Sequence, residues 1–75
     1  MPYIHIKAYK KDEETKRKVA EKINEIFLEY WGCPKEAITI SVDEYEPKDW
    51  QEKVYDKEIA PNKDKMLIES GNKNF

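Results

Sequence analysis

The 75-residue chain reads as an α/β protein: a single β-α-β unit followed by a short second helix, with a parallel sheet that is completed by oligomerisation. Three observations predict this. Residues 3–9 and 37–45 alternate apolar and polar side chains with the period of a half-buried strand. Between them runs a segment whose apolar residues recur every three to four positions, the period of an amphipathic helix. The connections are short, so the two strands are parallel and joined by a right-handed crossover.

In strand one, Ile4, Ile6 and Ala8 share one face, and Tyr3, His5, Lys7 and Tyr9 share the other. The polar run KKDEET follows; Asp12 is placed to cap a helix, with Glu13 and Glu14 in its first turn where the dipole favours negative charge. Val19, Ile23, Ile26, Phe27 and Tyr30 form the apolar side, while Arg17, Glu21, Asn24 and Glu25 lie opposite. Leu28 is the one apolar residue on the polar side. Gly32 suits a left-handed cap and Pro34 blocks resumption, so the helix is expected to end near Trp31. In strand two, Ile38, Ile40 and Val42 face one way and Thr39, Ser41 and Asp43 the other. Pro47 opens a second helix that carries Trp50, Val54 and Tyr55 toward one side, and Pro61 with Asn62 ends it. The apolar patch at residues 66–68 fits either a helix or a strand.

One domain, residues 1–75, is all this length allows. Charged residues make up 40% of the chain, yet nine aromatic residues (two Trp, five Tyr, two Phe) accompany them, which argues for folding over disorder. So small a core cannot cover them all, and some are expected in a subunit interface. Two parallel strands cannot protect both sheet faces and edges, which again predicts association with further copies of the same chain. A net charge of −2 gives no electrostatic footprint for nucleic acid or an anionic membrane. No apolar run is long enough for a membrane span and no leader pattern is present, so a cytoplasmic location is expected.

The catalytic inventory is short. With a single His and a single Cys, any Ser/His/Asp triad must use His5 and any Cys/His pair must use His5 and Cys33; neither has a motif around it. The same counts, and only two glycines, leave no metal site and no phosphate-binding loop. The amino terminus remains. Methionine before proline is normally excised, leaving Pro2 with a free secondary amine; the unperturbed α-amino pKa is about 7.7 to 8.0. Burial or nearby cations such as Lys10 and Lys11 would make that amine substantially neutral at pH 7 and able to take up a proton. The alternative is a chain-end proline tolerated at the start of a strand.

The motifs PYIHIKAY, the DEE-T-K helix start, the WGCPKEA turn and the strand ITISVDEY resemble, in this order, the 4-oxalocrotonate tautomerase family. The segment EPKDWQEKVYDKEIAP is similar to the short dimeric subgroup acting on phenylpyruvate-like enols. The resemblance runs from Met1 to about Pro61. It implies a cofactor-independent isomerase that interconverts keto and enol forms of a small α-keto acid, with Pro2 as catalytic acid and base. It also implies that Lys10 or Lys11 binds the substrate carboxylate, as a point charge where the family has arginine. Trp50 would wall the pocket and exclude water. Thr39 stands where hexameric members carry a second arginine. The longer carboxyl-terminal segment favours a homodimer over a hexamer. Related short chains instead hydrate, dehalogenate or decarboxylate unsaturated acids, and a non-catalytic oligomeric module on the same scaffold is a further alternative.

Overall fold

A computed structural model describes all residues from Met1 to Phe75. The chain divides into two compact units, Met1–Tyr45 and Glu46–Phe75. The first is the β-α-β unit. Strand β1 spans Tyr3–Tyr9 and β2 spans Thr39–Tyr45, and they pair in parallel with Tyr3 opposite Thr39, His5 opposite Ser41 and Lys7 opposite Asp43. Alternation thereby gathers Ile4, Ile6, Ile40 and Val42 on one face. Tyr3, His5, Ser41 and Asp43 share the other, where Tyr3 and Ser41 hydroxyls bond at 2.9 Å and His5 Nε2 meets an Asp43 carboxylate oxygen at 2.7 Å.

Helix α1, Glu13–Ile26, starts as its sequence dictates: Asp12 is extended, and its carboxylate accepts from the Thr15 backbone N–H at 2.9 Å and from the Thr15 hydroxyl at 2.8 Å. These two bonds hold the Asp12 carboxyl below the usual range, the backbone N–H being the larger cause. The last turn, Phe27–Trp31, widens to π-helical winding before Gly32 caps it at φ 75°. No residue of this first unit is fully buried, and Val19, Ile26 and Tyr30, three of the five expected core positions, are exposed. The helix presents an apolar stripe that this unit does not cover.

Strand two is shorter at its start than alternation suggested. The Ala37 N–H donates to the Pro34 carbonyl at 3.1 Å and Ile38 N–H to Lys35 at 3.3 Å, so Lys35–Ala37 closes into a 3₁₀ turn and the strand begins at Thr39.

In the second unit, helix α2 (Pro47–Trp50) opens on Pro47 and continues as π-helix through Gln51–Ile59. Val54, 3% exposed, is the one buried residue of the chain. Winding carries past Pro61 as a 3₁₀ segment, Ala60–Lys65, kinked at Asn62 where φ is −120°. The ambiguous patch resolves as strand: β3 (Ile68–Glu69) pairs antiparallel with β4 (Asn72–Lys73) around Ser70 and Gly71, at φ 49° and 82°. Two successive positive φ values make the tight turn whose twist suits a two-residue hairpin. No helix is long and apolar enough to cross a membrane.

Candidate active site

Pro2 stands at the head of β1, half-buried. Its carbonyl accepts the Thr39 N–H at 3.1 Å, the first bond of the parallel ladder, so the residue is fixed to β2 from its first peptide. One residue earlier, the Met1 ammonium donates to the Ala37 carbonyl at 3.0 Å. Met1 itself is 93% exposed.

Lys10 and Lys11 lie beyond the other end of the same strand. Extended chain rises about 3.3 Å per residue, so about 26 Å separate Pro2 from Lys10. The strand that supports Pro2 thus keeps the two lysines out of its reach within one chain. What they border is a cavity of about 300 Å³ between the sheet and α1, floored by Ile6, Ala8 and Val42 and walled by Val19, with Lys10, Lys11 and Lys16 around it.

The charges at this cavity are arranged unequally. Lys16 is bound by Glu13 at 2.8 Å and Glu44 at 3.3 Å, and its ammonium is held above the usual lysine range, chiefly by the Glu13 bond. Glu44 also accepts the Lys11 backbone N–H at 2.8 Å; that bond, then Lys16, holds its carboxyl below the usual range. The Lys16 charge is therefore paired in place. The Lys10 and Lys11 ammonium groups form no ion pair or side-chain hydrogen bond; Lys10 acts on Glu44, and Lys11 on Asp12, through their charge alone. Reading the sequence singled out neither Lys16 nor Glu44: the Glu13–Lys16 spacing is visible locally, but the Glu44 contact arises only when β2 is laid beside β1.

Trp50 is half-buried in the second unit, where it lines a separate cavity of about 290 Å³ with Tyr55, Ile59, Met66 and Ile68. Lys63 stands over the Tyr55 ring at 5.8 Å and 3.6 Å from Glu69; its ammonium is held above the usual range, first by Tyr55. His5 is engaged by Asp43, Ser41 by Tyr3, and the Cys33 thiol faces the Phe27 carbonyl at 3.7 Å, so no nucleophile–base pair forms among them. Thr39 is exposed at the start of β2.

Residues 2–57 match the family model described as "Tautomerase enzyme", a span that opens on Pro2 and leaves Met1 outside. Among curated proteins, the chain is similar to the tautomerase PptA of Escherichia coli O127:H6, 30% identical over 73 residues covering 95% of this chain and 96% of that one. PptA of Pectobacterium atrosepticum is 29% identical and PptA of Enterobacter sp. strain 638 is 26% identical, with the same coverage.

Proposed function

The chain belongs to the tautomerase family of isomerases, and on that premise we propose that it interconverts the keto and enol forms of a small α-keto acid without a cofactor, with Pro2 as general acid and base. The observation that carries this reading is the setting of Pro2. A proline follows Met1, is half-buried at the head of a strand, and is bonded to the neighbouring strand through its own carbonyl. Once Met1 is removed, its nitrogen is a secondary amine on a rigid support, with an unperturbed pKa already close to neutral at about 7.7 to 8.0. The amine takes a proton from the carbon beside the carbonyl and returns one to the same conjugated system, so the reaction balances without oxidant or metal.

The substrate carboxylate goes to Lys10 and Lys11. Because about 26 Å of strand separates them from Pro2 in one chain, the pair that completes each site comes from a second copy. This agrees with the uncovered helix stripe and with two sheet edges that only another chain can pair. A homodimer is the smallest assembly that meets the requirement. Trp50, as an aromatic wall for the substrate's apolar part, belongs to the same proposal, as does a cytoplasmic location.

The test is ketonisation of phenylpyruvate enol and of 2-hydroxymuconate by the chain lacking Met1, verified by mass spectrometry. Replacing Pro2→Ala leaves a primary amine with no ring to fix it, and the rate should fall roughly a hundredfold or more. A rate that survives the replacement removes Pro2 from the role of base.

A further inference from the structure

We propose that the main-chain carbonyl of Ala37 is the group that aims the Pro2 amine. The inference rests on the reading of Pro2 as base, but its grounds are the ladder between β1 and β2. The Pro2 carbonyl accepts the Thr39 N–H, and Tyr3 pairs with Thr39. In a parallel ladder, a residue whose carbonyl accepts from position 39 directs its own nitrogen to the carbonyl of position 37. A proline inside a peptide has no N–H and cannot use that acceptor. In the chain with Met1 the slot is taken by the Met1 ammonium, 3.0 Å from the Ala37 oxygen. Excision of Met1 removes this donor and, in the same step, gives Pro2 the N–H the ladder lacks.

The acceptor is held in advance. Ala37 ends a 3₁₀ turn closed by its own N–H on the Pro34 carbonyl at 3.1 Å, and it is half-buried. Its nearest charged neighbours in the chain, Lys35 and Glu36, are exposed and opposite in sign.

The bond determines direction. The prolyl nitrogen is tetrahedral, with ring carbons at two vertices. With one N–H on Ala37, the fourth vertex is the lone pair in the neutral amine and the transferable proton in the ammonium. That vertex points away from β2 in both states. The same carbonyl favours the ammonium, since hydrogen bonding to a charged form stabilises it. Ala37 is thus a positioning residue acting through its backbone, which no side-chain substitution removes.

The experiment uses the chain without Met1, labelled with ¹⁵N and ¹³C. A through-hydrogen-bond coupling between the Pro2 nitrogen and the Ala37 carbonyl carbon is expected at low temperature and a pH where the amine is charged. Chemical synthesis then supplies two backbone esters. An ester joining Ala37 to Ile38 weakens the Ala37 carbonyl as an acceptor, and the Pro2 amine should titrate about half a unit lower, with the acid limb of the kcat profile moving alike. An ester joining Glu36 to Ala37 removes the Ala37 N–H of the turn and weakens the Glu36 carbonyl but keeps the Ala37 carbonyl an amide, and it should leave the titration in place. Absence of the coupling, or an equal shift from both esters, overturns the proposal. A coupling and a selective shift in a chain whose Pro2→Ala variant keeps full activity would uphold the geometry while ending the reading of Pro2 as base; the reverse pattern would do the opposite.

Discussion

If each site joins Pro2 of one chain to the lysines of another, two inactive variants should repair each other. The perturbation is a pair of proteins, Pro2→Ala and the double variant Lys10→Ala, Lys11→Ala, each assembled separately and then mixed. The structure sets the expectation through one length: β1 holds Pro2 and Lys10 about 26 Å apart, a span no small α-keto acid bridges. Each variant alone lacks one half of every site. Losing the charged partner of a carboxylate costs about 1.5 to 3 kcal/mol in general, so the lysine variant should fall roughly tenfold to a hundredfold in kcat/KM. After random exchange, half the sites carry an intact proline and half of those face intact lysines. Activity should then recover to about one quarter of the unmodified protein, whatever the size of the closed assembly. The assay is enol ketonisation followed by absorbance, with native mass spectrometry to confirm mixed species. A mixed sample no more active than the average of its parents, while mixed species are seen, would refute the shared site.

Further expectations concern the scaffold. Asp12 and Glu44 both have carboxyls held below the usual range, so their stabilisation is complete above the unfolded values near pH 4 and is lost as pH falls through the lower folded ones. Acidification should therefore fray the start of α1 first, seen as loss of protection at the Thr15 and Lys11 amides before the rest of the unit. Val54→Ala removes two methyl groups from the one buried side chain and should cost about 2 kcal/mol, measured by urea unfolding; a loss below about 0.5 kcal/mol would show that this residue is not the core of its unit. Gly32→Ala meets no atom within 4 Å, so its cost is backbone strain alone at φ 75°, about 1 kcal/mol, and Gly32→Asn should cost less.

The sequence by itself determined what is local. Alternation at residues 3–9 specified β1 to the residue because side-chain period is a property of the strand alone. Asp12, Gly32 and Pro47 marked the helix ends because each acts on backbone groups within a few positions. Pro2 stood out because its chemistry depends only on its neighbour Met1. The fold followed from these pieces, since two strands and one crossover helix with short connections allow little else.

Tertiary structure decided what depends on separation and on chain segments far apart in sequence. Lys10 and Lys11 looked close to Pro2 by position, yet an extended strand is the longest path a chain can take, and it sets them at opposite ends. The second ion pair of Lys16 needs Glu44 from β2. The short patch at residues 66–68 became a strand only through its pairing with Asn72–Lys73, because four to six residues carry too little periodicity to choose alone. Strand β2 lost two residues to a turn closed by the Pro34 carbonyl, and so set Ala37 at the mouth of the ladder, where its carbonyl meets the Met1 ammonium. A backbone carbonyl is the same atom in every residue, so letters could not reveal it; only the register of β1 on β2 did.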